Sequence, residues 1–144
     1  MWRPLQMVDY EYGKIKTGLF AGKAVGYESK LVRPTATGEV RSLTMYDYDT
    51  SKRLGSMEYE VDGSQVKVNG FAFTEWGDMR LPEGFIKYFL KKMKKRGVGK
   101  VIVELYDVDA NTHNKLTVFK SMKFVTDTTG NMTGYQSWLL IRNI

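Results

Sequence analysis

Leu81-Pro82-Glu83-Gly84-Phe85-Ile86-Lys87-Tyr88-Phe89-Leu90-Lys91-Lys92-Met93-Lys94-Lys95-Arg96, followed by Gly97-Val98-Gly99 and Lys100-Val101-Ile102-Val103-Glu104-Leu105-Tyr106, decides the fold. Phe85, Ile86, Phe89, Leu90 and Met93 fall on one face of a 3.6-residue helix, and Lys87, Lys91, Lys94 and Lys95 occupy the rest. Pro82 suits a first helical turn, where a missing N–H leaves no hydrogen bond broken, and Gly97 with Gly99 supplies the stop. Val101 to Tyr106 is nearly continuous in apolar residues, which suits a central strand. A second helix runs from a cap at Asn111 or Thr112 to about Met122 and leads into Phe124 and Val125.

Upstream the period is two. Ser42 to Tyr48 alternates polar and apolar residues, and Asp49 to Arg53 reads as a turn. Leu54 to Val61 alternates again, with Met57, Tyr59 and Val61 on one face. Asp62-Gly63-Ser64 is a tight turn, because aspartate and glycine tolerate left-handed backbone angles. Gln65 to Glu75 is a third strand, and counting by twos puts Val66, Val68, Gly70, Ala72 and Thr74 on one side. Three such strands make an antiparallel meander. Val8 to Tyr12 alternates like a strand, and Gly13, Gly18, Gly22 and Gly26 break the stretch beyond it; residues 8–34 look strand-like and show no helix. Tyr135 to Ile141 is a last strand. The order predicts an α+β fold: a meander, then helix, strand, helix and strand around a mixed sheet, in one domain over residues 1–144.

The chain of 144 residues, 42% hydrophobic and 26% charged, has the balance of a globular protein with a core of its own. It contains no cysteine, so disulfides, zinc-thiolate sites and cysteine nucleophiles are excluded. No segment has the run of about 18 apolar residues that crosses a bilayer, and Met1 to Leu5 lacks a secretory apolar stretch. These features predict a cytoplasmic protein without a membrane partner. The net charge of +6, from 22 basic and 16 acidic side chains, suits a solubilising surface, nucleic acid, an anionic cofactor or an acidic protein partner. The basic helix, through Lys87, Lys91, Lys92, Lys94, Lys95 and Arg96, is the candidate surface for nucleic acid or protein. The carboxylates show no metal-ligand spacing and His113 stands alone, so no metal is expected.

From Ser42 to Ile141 the arrangement resembles the GNAT N-acyltransferase superfamily, with residues 1–34 atypical for it. In that family a loop of pattern Arg/Gln-x-x-Gly-x-Gly/Ala wraps the pyrophosphate of coenzyme A at a helix start. The corresponding stretch here is Met79-Arg80-Leu81-Pro82-Glu83-Gly84, with Gly84 at the final small residue, Met79 at the Arg/Gln and Pro82 at the first glycine. Phe124 set on the family's final aromatic puts Phe119 at its tyrosine, Lys123 at its glycine and Thr112 at its asparagine, with Asn111 one residue away. The resemblance implies acetyl-CoA or another acyl-CoA as co-substrate and an amine as acceptor. It implies cofactor contacts at Met79, Arg80, Glu83, Gly84 and Phe119, and a catalytic role for Glu75 and Asn111, with Glu104 and Asp107 as further candidates for the base. Phenylalanine at 119 has no proton to give a leaving thiolate. A catalytically silent protein of the same fold, such as a viral accessory protein, and a basic nucleic-acid-binding module therefore stand as alternatives.

Overall fold

Among the described residues, five strands come before the first helix. The computed structural model describes residues 8–14, 22–106, 110–132 and 135–144. The strands are β1 (Val8–Lys14), β2 (Ala24–Pro34), β3 (Gly38–Asp47), β4 (Arg53–Asp62) and β5 (Gln65–Phe73). Helix α1 (Arg80–Lys95), β6 (Lys100–Tyr106), α2 (Thr112–Ser121), β7 (Val125–Met132) and β8 (Tyr135–Asn143) follow. Among the described residues they form one sheet in the order β1-β2-β3-β4-β5-β6-β8-β7. Every pairing is antiparallel except β5 with β6, and that parallel pair is the one joined by a helical crossover, α1. This is the expected α+β architecture.

The apolar face of α1 supplies much of the core. Leu81, Phe85, Ile86, Phe89, Leu90 and Met93 are all buried, against Val66, Val68, Val101, Val103 and Leu140 of the sheet. Phe85 meets Tyr27, Phe71 and Phe73, and Phe89 meets the edge of Tyr59 at 5.0 Å between ring centres. Each such buried side chain contributes about 1.5–3 kcal/mol of transfer free energy. Gly97, at φ +93°, ends α1 in the left-handed region where glycine is favoured, and the N–H of Val98 returns to the Met93 carbonyl.

The strand-like reading of the glycine-broken stretch holds where the structure describes it: Val25, Tyr27 and Ser29 of β2 alternate into the interior with Gly26 between the first two. Two expectations change. The chain has a further strand, β7, beside β8. Val125 to Gly130 are exposed throughout, so this edge strand carries no apolar alternation to read. On β5 the inward residues after Val68 are Phe71 and Phe73, not Gly70, Ala72 and Thr74. The cause is a β-bulge: Tyr59 faces Val68 and Glu58 faces Gly70, leaving Asn69 as an extra residue that moves the alternation on by one.

The turn after β3 holds a buried charge. Lys23 Nζ lies 2.6 Å from Asp47 Oδ2, and the backbone N–H groups of Asp49 and Thr50 donate to Asp47 Oδ1 at 3.1 and 3.4 Å. The Lys23 hydrogen bond, helped by those amides, holds the carboxyl below its ordinary pKa against the opposing effect of burial. A carboxyl with a depressed folded-state pKa stabilises above its unfolded pKa, and that stability is lost as the pH falls through the folded value. Asp47→Asn should therefore lower Tm by roughly 3 °C at neutral pH and by less at about pH 3, measured by thermal unfolding. An equal loss at both pH values would show that the charge is not the source.

Candidate ligand-binding wedge and groove

The bulge at Asn69 has a second effect. β5 and β6 pair only from Gln65 with Lys100 to Val68 with Val103. Beyond Val68 the bulged strand bends away, and residues 69–73 of β5 and 104–106 of β6 no longer pair with each other. Two strand edges thus face one another across a wedge, each offering backbone N–H and C=O groups to whatever enters.

An aromatic cluster underlies the wedge. Phe71 lies 5.0 Å from Phe119 and 6.0 Å from Phe85 between ring centres, and Phe119 lies 5.2 Å from Phe124. Trp76, in the loop between β5 and α1, packs on Phe71 and Phe73. Its indole Nε1–H is buried without an acceptor among the described residues.

At the start of α1 a groove of about 1350 Å³ runs to the end of α2 and the last strand. Lys14, Arg80, Lys87, Lys91, Lys123 and Arg142 line it, against two acidic residues, Asp78 and Glu83. No ion pair joins Lys87, Lys91 or Lys123 to a described carboxylate, whereas Lys23, Lys52, Lys67, Lys92 and Arg96 each have one. The groove therefore has an uncompensated positive potential suited to a polyanion.

The helix start adds little to that potential. Asp78 Oδ1 accepts the Arg80 N–H at 3.1 Å, the Asp78 carbonyl accepts the Leu81 N–H at 3.2 Å, Pro82 has no N–H, and the Glu83 N–H goes to the Met79 carbonyl at 3.0 Å. The amides that would meet a phosphate are already engaged, and a buried carboxylate sits among them. An aspartate just ahead of a helical pattern is a capping signal, so this feature is legible in the sequence.

Four of the seven residues named from the sequence line the groove: Met79, Arg80, Glu83 and Gly84. The other three lie elsewhere. Glu75 is turned to Lys52, 3.3 Å away. Asn111 is exposed just before α2, whose next residue, Thr112, anchors the helix by donating to the Tyr106 carbonyl at 3.1 Å. Phe119 is 1% exposed, inside the aromatic cluster. Glu104 pairs with Lys67 at 2.7 Å, His113 is exposed, and Asp107 lies outside the described residues. No metal-binding group of carboxylates and histidine occurs among the described residues.

Tyr27 and Tyr88 also line the groove and stack with ring centres 3.7 Å apart and planes 4° from parallel. Burial pushes the Tyr27 hydroxyl up to about 12, and burial with the Glu11 carboxylate also raises Tyr88, so both stay protonated at neutral pH. Glu11 in turn pairs with Lys92, tying β1 to α1.

No family model and no curated protein sequence matches the chain. Solved structures do. The ribosomal-protein-S18-alanine N-acetyltransferase from Escherichia coli matches at a TM-score of 0.58 and 14% identity, over 72% of this chain and 68% of that one. Nourseothricin acetyltransferase matches at 0.59 and 15%, over 72% of this chain and 65%, less than two thirds, of its own. A candidate acetyltransferase of the GNAT family from Desulfovibrio desulfuricans matches at 0.59 and 8%, over 72% and 69%. The chain has the fold of the GNAT acetyltransferases.

Proposed function

We propose that this protein binds an acyl-coenzyme A in the wedge and groove and transfers the acyl group to an amine. The observation that supports this most is the wedge opened by Asn69 beside a cation-lined groove. An extended arm with amide groups fits between two unpaired strand edges as an added strand would. The diphosphate end fits against Arg80, Lys87 and Lys91. Because the helix amides are engaged, side chains do most of the phosphate binding.

In the reaction the amine nitrogen bonds to the thioester carbonyl carbon, the carbon–sulfur bond breaks, the amine proton passes to a base and the thiolate takes up a proton. Glu75 and Asn111 remain the candidates for handling the amine proton. Neither lines the groove, so the wedge contributes chiefly by positioning, which supplies a large part of the barrier reduction in such transfers. A second reading, a protein that binds without transferring, draws support from the Asp78 cap, Pro82 and the apolar Phe119.

Thermal unfolding with acetyl-CoA, combined with thiol release over a panel of primary amines, separates the two. At a hundredfold excess over Kd the ligand should add about 2.7 kcal/mol of stability. Gly84→Glu should abolish that gain, because it puts a carboxylate on the groove wall where a side chain meets no atom within 4 Å. The substituted helix itself should be no less stable, since glycine is the poorer helix former. Stabilisation without thiol release favours the second reading, and no stabilisation at millimolar acetyl-CoA rejects both.

A further inference from the structure

Lys123 sits at φ +68°, in the left-handed region where a side chain crowds its own backbone. It is the residue that reverses the chain after α2. Its N–H goes to the Lys120 carbonyl at 3.0 Å, and the Phe124 N–H goes to the Phe119 carbonyl at 3.1 Å. Glycine is the usual occupant of such a position. This chain uses glycine at the matching position after α1, where Gly97 has φ +93° and is not part of the groove's lining. After α2 it places a lysine there, exposed, on the groove wall and without a described acidic partner. Arg142 Nη1 donates to the Met122 carbonyl at 2.7 Å, so the strained turn is pinned from the neighbouring strand. Strain held in place by its surroundings points to a use for the side chain.

We infer that Lys123 is a phosphate anchor of the groove: its ammonium, together with Lys87 and Lys91 across the opening, takes a phosphate group of the bound ligand. The inference rests on the coenzyme reading for the ligand's identity, but the anchoring itself requires only a polyphosphate. It also accounts for the helix start being closed to anions, since the charge is met from the opposite wall.

Stability and affinity should move in opposite directions on substitution. Lys123→Gly should raise Tm by about 3 °C through relief of the backbone strain. It should also weaken coenzyme A and inorganic tripolyphosphate about tenfold, the worth of one charge-assisted hydrogen bond. Lys123→Met, which keeps the strain and removes the charge, should show the same loss of affinity with no gain in Tm. The measurements are thermal unfolding and calorimetric titration of both ligands into the wild type and the two variants. Unchanged affinity of both variants for coenzyme A overturns the anchor and leaves the coenzyme reading standing. Wild-type binding of tripolyphosphate but not coenzyme A, weakened in both variants, supports the anchor and overturns the coenzyme reading. Binding of neither ligand to the wild type overturns both.

Discussion

Deleting Asn69 should abolish ligand binding while leaving the protein folded. Asn69 is the unmatched residue between the Tyr59–Val68 and Glu58–Gly70 pairs. Without it the β4–β5 ladder becomes regular, and every other pair keeps its partner and its face. Val68 stays inward, Gly70 stays outward, and Phe71 and Phe73 remain in the core opposite Met57 and Gly55. The bend goes, because a bulge is what turns the strand and increases its twist. β5 would then run on beside β6 past Val68 and Val103, and the two edges that form the wedge would pair with each other. The expected result is a change in unfolding free energy below about 1.5 kcal/mol, comparable to a modest core adjustment. Stabilisation by acetyl-CoA should disappear entirely. Urea unfolding and thermal shift measure the two quantities. A folded deletion variant that still binds would show that the wedge is not the binding element.

The same residue marks where reading the sequence stopped working. Period-two alternation identified β3, β4 and the start of β5, and the 3.6-residue period of Phe85, Ile86, Phe89, Leu90 and Met93 identified α1 with its buried face. Both are local signals produced by burial on one face. A bulge leaves no such signal, so counting by twos through Asn69 exchanged Phe71 and Phe73 for Gly70 and Ala72. β7 was invisible for a different reason. A strand exposed on an outer edge has no buried face to mark it. Of the site, the segment from Met79 to Gly84 was legible because a helix start has its own composition. Lys123 and Arg142 reach the groove from the end of α2 and from the last strand, and only the folded sheet brings them to Lys87 and Lys91. Phe119 was placed by resemblance at a cofactor contact, and the fold places it in the core.

That placement means that the core and the wedge share residues, and Phe71 shows it best. Its ring meets Phe73, Trp76, Phe85 and Phe119, so it joins β5, the following loop, α1 and α2 through one side chain that is only 6% exposed. Phe71→Ala removes the ring from the centre of that set, and the surrounding rings belong to four separate segments that cannot all move inward together. The cost should be about 3–5 kcal/mol, the range for deleting a buried aromatic ring, with the edge-to-face contact to Phe119 among the interactions lost. In urea the midpoint should fall by about 2 M with an unchanged slope, since the folded state buries nearly the same surface. Ligand binding should weaken in the fraction that remains folded, because α1 and α2, which flank the groove, lose their common support. Phe119→Ala should cost a similar amount if Phe119 is a core residue. A loss of affinity without loss of stability at Phe119 would instead return it to the ligand's contact surface, as the sequence resemblance first placed it.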